Sequence, residues 1–387
     1  MIRKNKEDDN EFKISPELLE KEYNKSLENE KRNQKPVTVL VAGDTGSGKS
    51  TLINAVFGRE VARTGTGRPI TENLEEFLSK NPPLRILDTR GFEPGDGVAF
   101  EKVDSEFKKR HAQGDPDAHI HIAWLCILSN SNRFAPVHER FILGLAERGI
   151  PCIVVLTQTD REDNKLFLYI KDILFEHHKI YPNHKIEVIE LLAISIKQRS
   201  GTEIPAYGVE DLLNLTYRFI DDGTKAAFAQ AQVASISLKK KEARRIVGFS
   251  AASAAATAAI PVPGGHSLAL VTIQVAMMAK IDLIFGQSLL GSRTPIQAVA
   301  TKLFSIGGKW TAGLVLENFL KFFPGVGSAA GAVVGGIVGS GITTAVGISY
   351  IEVSSKVATS EIDIKNLSAI SDALTVELER YRSSVKE

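Results

Sequence analysis

Val37-Thr-Val-Leu-Val-Ala42 runs directly into Gly43-Asp44-Thr45-Gly46-Ser47-Gly48-Lys49-Ser50 and on into Thr51-Leu-Ile-Asn-Ala-Val-Phe57. A Val-rich buried strand, a G-x-x-x-x-G-K-S loop and a helical stretch form the context that a triphosphate site requires. The glycines let successive backbone N–H groups turn toward phosphate oxygens. Lys49 adds a point charge for the outer phosphates, and Ser50 offers a hydroxyl to Mg2+. The helix that follows, opening near Thr51, aims its N-terminus at the same anion. Gly43 through Thr51 are therefore candidate nucleotide contacts.

Working outward, apolar strand-like runs alternate with amphipathic stretches from Pro36 to about Asp222. The runs are Val37 to Ala42, Leu84 to Leu87, Ile120 to Leu128, Cys152 to Leu156 and Ile186 to Ile194. This alternation predicts an α/β domain with a mostly parallel sheet covered by helices on both faces. Such sheets bind ligands beyond the carboxyl ends of their strands.

Three further motifs fall at such ends. Asp88-Thr89-Arg90-Gly91 follows Leu84-Arg-Ile-Leu87 and supplies a carboxylate for the Mg2+ shell and a glycine N–H for the terminal phosphate. Thr64-Gly-Thr-Gly-Arg-Pro-Ile-Thr71 lies between the first two motifs. It has the composition of a segment ordered when a hydroxyl reaches Mg2+ and an N–H reaches the outer phosphate. Thr71 is the chosen hydroxyl, with Thr66 and Thr64 as alternatives. Thr157-Gln158-Thr159-Asp160 follows Cys152-Ile-Val-Val-Leu156. A carboxylate at Asp160 can accept hydrogen bonds from both N1–H and the exocyclic amine of guanine, a donor pair that adenine lacks. Gln158 covers the base plane, and a backbone N–H near Ala193 to Ser195 supplies the last base-side contact.

These ordered motifs, Gly43 to Ser50, Thr71, Asp88 to Gly91 and Thr157 to Asp160, resemble those of the translation-factor-related small GTPases, near the Era-like branch. The phosphate loop is also similar to that of immunity-related GTPases. The resemblance implies a P-loop G domain that takes GTP and GDP with Mg2+ held by Ser50, Thr71 and Asp88. It further implies that Lys49, Thr71 and Gly91 act on the terminal phosphate. Thr157 and Gln158 replace the usual Asn and Lys. Phe92 stands where Ras-like enzymes carry the glutamine that orients the attacking water, and it cannot hydrogen-bond that water. Hydrolysis is therefore expected to be slow and to rest on phosphate positioning, with Arg90 and Arg133 as candidate charge donors and a homodimer across the G domain as the accelerating assembly.

Composition narrows the class. With 387 residues, 43% hydrophobic, 24% charged and a net charge of +1, the chain is long enough for two domains and lacks the basic excess of a nucleic-acid binder. Cys126 and Cys152 both sit in apolar runs, as buried hydrophobes in a reducing compartment. His177, His178, His184, His119 and His121 show no metal-ligand spacing. Residues 1–35 are polar, without a signal-peptide core, and Ser15-Pro16-Glu17 opens a helix, either a solvated leader or an extra helix docking on the second domain. A cytoplasmic, non-secreted protein is expected, membrane-associated at most through its second half.

That half begins after Asp222, so the expected division is a 1–35 leader and helix, a 36–222 G domain, and a 223–387 all-α, Ala/Gly-rich domain. Lys239-Lys-Lys241 and Arg244-Arg245 lead into Ile246 to Ala279, which carries no Asp, Glu, Lys or Arg, and a second uncharged run spans Phe322 to Ile351. Ile260-Pro-Val-Pro-Gly-Gly265 breaks the first run into a helical hairpin. Gly327, Gly331, Gly335 and Gly339 line one helix face in the second. The basic cluster beside apolar helices points to an anionic membrane surface reached through 239–351. Ala259-Ile-Pro-Val-Pro-Gly264, the Gln274 to Gly286 helix and Lys321-Phe-Phe-Pro-Gly-Val-Gly327 resemble the YcjF-type domain of unknown function behind Era-like GTPase domains. Leu367, Ile370, Leu374 and Leu378 give the last helix, Lys365 to Lys386, a face that packs back on the bundle.

The resulting expectation is a GTP-binding protein and slow GTPase whose nucleotide state is coupled to a helical membrane-facing or self-associating domain. Two other readings stay open. One is a nucleotide-binding scaffold with negligible turnover, suggested by Phe92. The other is an RNA- or ribosome-linked Era-type GTPase, which the lack of a basic-aromatic RNA surface in the C-terminal half argues against.

Overall fold

The computed structural model describes residues 16–58, 68–71, 74–89, 101, 105, 108, 119–131, 133–159, 165–197, 201–258, 266–286 and 330–384. They divide into two compact units: Asn33–Glu242, and Met1–Arg32 together with Ala243–Glu387.

The first unit is built on β1 (Val37–Gly43), every residue of which is buried. A continuous apolar strand of this kind belongs at the centre of a parallel sheet covered on both faces. Around it lie α2 (Lys49–Phe57), β2 (Arg68–Thr71), β3 (Leu74–Lys80), β4 (Pro83–Thr89), β5 (Ile122–Leu128), α3 (Pro136–Ala146), β6 (Cys152–Thr157), α4 (Lys165–Ile180) and β7 (Ile186–Glu190). The seven-stranded sheet has the order β2-β3-β4-β1-β5-β6-β7. β4, β1, β5, β6 and β7 run parallel, whereas β2 and β3 form an antiparallel extension at one edge.

Alternate β1 residues feed two cores. Val37, Val39 and Val41 face α2, α5 (Val209–Phe219) and α6 (Asp222–Ala231), while Leu40 and Ala42 face α3 and α4. Trp124 stacks on Phe57 with centroids 5.8 Å apart, and its indole N–H donates to Thr216 Oγ1 at 3.0 Å, so this large buried ring leaves no polar atom unsatisfied.

Parallel register brings the strand ends into line. Val41 pairs with Asp88, Gly43 with Cys126 and Leu128 with Thr157. The expected run to Ile194 ends as a strand at Glu190, because Leu192 leaves the sheet to pair with Tyr207. A small hairpin, β8 (Ile196–Lys197) with β9 (Glu203–Ile204), follows.

The second unit is helical: α1 (Pro16–Asn33), α7 (Ile236–Ala258) from Ala243 onward, α8 (His266–Phe285), α9 (Ala330–Ala358) and α10 (Leu367–Ser384). α1 is integrated into it through a fully buried carboxylate. Asp282 of α8 accepts hydrogen bonds from Tyr23 of α1 at 2.6 Å and from Tyr350 of α9 at 2.8 Å. Ile370, Leu374 and Leu378 of α10 are buried, and Lys356 of α9 reaches buried Glu377 of α10 at 2.6 Å. Gly347 of α9 lets its helix approach closely, because a Cβ there would come 2.5 Å from Val247 and 2.9 Å from the Met277 sulfur.

Among the described residues no helix is long and apolar enough to cross a membrane. Ala259 to Gly265 and Lys321 to Gly327 lie outside the described residues. One member of the basic cluster is used in packing, while Lys241 and Arg244 are exposed. Lys239 is only 5% exposed, and its ammonium donates to the last carbonyls of α6, Ala229 at 2.8 Å and Gln230 at 3.0 Å. Lys241 lies 5.0 Å over the Tyr217 ring, and Arg244 pairs with Glu352 at 3.4 Å.

Two substitutions test these close approaches. In Gly347→Val, overpacking is expected to lower stability by about 1–3 kcal/mol in denaturant unfolding. Gly43 has φ +142°, and a Cβ there would sit 2.1 Å from the Cys126 carbonyl oxygen. Gly43→Ala is therefore expected to lower the unfolding midpoint of the sheet unit at least as much, by tryptophan fluorescence.

Candidate functional site

β1, β4, β5 and β6 all end at the edge where the loop Gly43–Gly48 turns into α2. The chain leaves β1 for β4 on one side and β5 on the other, which is the switch point where open α/β sheets form a crevice. Gly46 and Gly48 adopt φ of +79° and +84°, conformations that bend the loop and that side chains disfavour. Lys49 is buried beneath the loop, and its ammonium donates to the Gly43 and Asp44 carbonyls at 2.8 and 2.9 Å. Ser50 and Thr51 are exposed on the first turn of α2, as are Thr45 and Gly46 in the loop.

The loop is braced from below. Thr157, 3% exposed at the end of β6, donates its hydroxyl to the Ser47 carbonyl at 2.6 Å. A Cβ at Gly48 would lie 3.5 Å from Thr157 Oγ1 and 3.7 Å from Gln158 Nε2, so the loop and the Thr157-Gln158 turn are in direct apposition. Thr157, which replaces the familiar Asn, thus serves here as a hydrogen-bonded strut. Gln158 is exposed with φ 55°. Asp160 lies outside the described residues.

The residues present fit a divalent cation. Asp88 is half-buried at the end of β4, next to β1, and both it and Lys49 act electrostatically on the Cys126 thiol beneath the loop. Burial pushes that thiol up to about 12, outweighing the lowering by Lys49, so Cys126 is an inert packing group. Burial also raises Cys152. Asp88 and Ser50 are hard oxygen donors of the kind Mg2+ takes. Thr71 ends β2, two residues before β3, with its backbone paired to Leu74. Ser47 Oγ is buried in the loop without a hydrogen-bond partner among the described residues, a further polar atom suited to a ligand. Arg90, Gly91 and Phe92 lie outside the described residues, as do Thr64 and Thr66.

Ala193 and Ser195 fall in the loop after β7. Ala193 packs against the core, and Ser195 Oγ accepts the Ala206 N–H at 3.1 Å. Arg133 is exposed beyond the end of β5. His177 Nε2 and His184 Nδ1 share a 3.0 Å hydrogen bond, His119 is exposed, and no group of three or more metal-ligating side chains occurs among the described residues.

The structure adds one residue that sequence reasoning missed. His138 of α3 is 2% exposed, with Nε2 3.7 Å from Asp44 Oδ2 in the phosphate loop. Its Nδ1 accepts the Ala135 N–H at 3.1 Å, which leaves the proton on Nε2, facing Asp44. Burial holds its pKa below the usual range against the opposing pull of Asp44. No motif marks a lone histidine this far along the chain.

Residues 38–158 match the model of a family described as 50S ribosome-binding GTPase. The chain is 26% identical over 166 residues to GTPase Era of Buchnera aphidicola subsp. Acyrthosiphon pisum (strain APS), which covers 42% of this chain and 53% of that protein. It is 40% identical over 76 residues to tRNA modification GTPase MnmE of Zymomonas mobilis subsp. mobilis, 19% of this chain and 17% of that one. The chain thus spans about half the length of the Era relative and less of MnmE. The solved elongation factor SelB of Methanococcus maripaludis aligns over 49% of this chain and 35% of its own, at 19% identity and a TM-score of 0.31. The loop geometry, the parallel sheet and the matched stretch agree on a P-loop G-domain fold, similar over residues 38–158 to the GTPase family named above.

Proposed function

We propose that the chain binds GTP and GDP with Mg2+ and hydrolyses GTP slowly, as a nucleotide-dependent switch. The observation that carries this reading is the Thr157 to Ser47 hydrogen bond of 2.6 Å, which fastens the phosphate loop to the turn leading into Asp160. Phosphate grip and base selection then belong to one pocket.

Within that pocket the N–H groups of Gly46 to Thr51 and the Lys49 ammonium take the phosphates, with Gly43 and Asp44 as the turn that shapes the loop. Ser50, Asp88 and Thr71 hold the cation, which when bound neutralises charge on the outer phosphates. Asp160 reads guanine, Gln158 covers its plane, and backbone N–H groups at Ala193 and Ser195 close the base side. In hydrolysis, water adds to the γ-phosphorus as the bond to the β–γ bridging oxygen breaks. GDP and phosphate leave, and the proton of the water passes to phosphate or solvent. Lys49 and the N–H groups of the loop and Gly91 stabilise the charge that develops on the phosphoryl oxygens. Phe92 supplies no hydrogen bond to the water, so the intrinsic rate is low. Arg133, exposed at the carboxyl edge of the sheet, is the charge donor offered across a homodimer.

Thr71 and Gly91 sense the terminal phosphate. The proposed output is the helical unit, to which the GTPase unit is joined by α7, a continuous helix that contains the 242/243 boundary. With Lys239 buried and Lys241 and Arg244 engaged with Tyr217 and Glu352, the reading needs no lipid.

Three outcomes are expected. Lys49→Ala should lower affinity for GTP and GDP at least tenfold in fluorescent-nucleotide titrations. Asp160→Asn should exchange GTP preference for xanthosine triphosphate, because a carboxamide donates to the xanthine 2-oxo group while accepting from N1–H; unchanged GTP preference would remove Asp160 from base reading. Turnover per subunit should rise with protein concentration and fall toward the basal rate in Arg133→Ala, whereas a flat profile would exclude assistance by self-association.

A further inference from the structure

Two loops leave the carboxyl ends of β6 and β7, residues 157–159 and 191–195, and they are tied together at Thr159. Its side chain is buried, its hydroxyl donates to the Leu191 carbonyl at 2.8 Å, and its own N–H points to the same oxygen at 3.4 Å. The Thr159 carbonyl is engaged too, accepting the Tyr207 phenol O–H at 2.8 Å. Tyr207 is itself held in place by paired backbone hydrogen bonds with Leu192, each 3.0 Å. Gly208 fixes the exit into α5: its φ is +78°, and a Cβ would come 2.4 Å from the Glu190 carbonyl oxygen. Tyr207 therefore clasps the first loop while its backbone pairs with the second.

The engaged carbonyl belongs to the peptide plane whose nitrogen is that of Asp160. We propose that Tyr207 is a positioning residue for purine selection, holding the Thr159 carbonyl and so anchoring the turn from which the chain continues to Asp160. This rests on the reading of Asp160 given above. The phosphate loop is secured separately, by Thr157 and Lys49, so losing the Tyr207 hydroxyl disturbs base selection and spares the phosphates. The Tyr207 side chain is also surface-accessible, at 44% residue exposure, so its hydroxyl can be removed without opening the core.

The test is equilibrium binding of GTP, GDP, ATP and inorganic tripolyphosphate to the full chain, to Tyr207→Phe and to Thr159→Val. One lost hydrogen bond should weaken GTP and GDP alike by about 3–10-fold. ATP and tripolyphosphate should be unchanged, so the GTP-over-ATP ratio shrinks by the same factor. Thr159→Val should reproduce that signature, and it decides the matter by the same ratio if Tyr207→Phe fails to fold. Equal weakening of GTP and ATP would mean general loosening and overturn the proposal, as would unchanged GTP affinity in both variants. An unsubstituted protein without any preference for GTP over ATP would instead sink the Asp160 reading, and this proposal with it.

Discussion

The contact on which the sheet unit depends is the approach of Gly43 to the Cys126 carbonyl, where even a single Cβ would be held at 2.1 Å. It lets β1 stay paired with β5 through its last residue and still release the chain into the phosphate loop. Because β1 is buried throughout and pairs in parallel on both sides, that release point is fixed relative to Asp88 on one flank and, through β5 and β6, to Thr157 on the other. The site needs no rearranged backbone at its centre. A glycine at the strand end and three strands in register put a lysine, a carboxylate and a bracing hydroxyl around one turn.

A second polar constraint organises the helical unit. Asp282 is fully buried, and a charge in that position is tolerable only with donors around it. Tyr23 and Tyr350 provide them, and burial together with Asp282 pushes the Tyr350 phenol well up, keeping it a donor. This makes the N-terminal helix part of a unit otherwise built from the C-terminal third of the chain. Small residues complement that clasp: Gly347 accepts Val247 and Met277 at distances no side chain allows. The glycines of α9 cost helix propensity, and this one is offset by close packing.

The legible parts of the chain are those where a local pattern has one physical solution. Short apolar runs at β1, β5 and β6, alternating with helical stretches, fit buried parallel strands, and G-x-x-x-x-G-K-S in that context marks a phosphate loop. β3 was not legible, since Leu74, Phe77 and Leu78 in Leu74-Glu-Glu-Phe-Leu-Ser-Lys80 recur at helical rather than strand spacing. It becomes a strand through seven-residue antiparallel pairing with β4 at the sheet edge. The end of β7 was overshot because Leu191 and Leu192 continue the apolar run but serve the loop, one accepting Thr159 and the other pairing with Tyr207. Lys239 read as a charge facing outward and is a buried helix cap, a role that depends on carbonyls freed at the end of α6. His138 and Tyr207 were invisible for the same reason, since each acts on a loop far away in the chain.

These misses bear on how selectivity can be divided in such a domain. Phosphate binding draws on residues adjacent in sequence, Gly43 through Thr51, so its geometry is nearly self-contained. On the proposed reading, base selection draws on two loops from different strands, and a carboxylate on a loop discriminates only if that loop is held. Thr157 addresses the first loop's root by tying it to Ser47, while Thr159 and Tyr207 address its tip by tying it to the second loop. Thr157 and Gln158 stand where the resemblance leads one to expect Asn and Lys, and Thr157 braces the loop with a hydroxyl. Hydroxyl groups at 157, 159 and 207 all act through backbone carbonyls, and a carbonyl can be reached by a hydroxyl from any part of the chain that the fold delivers there.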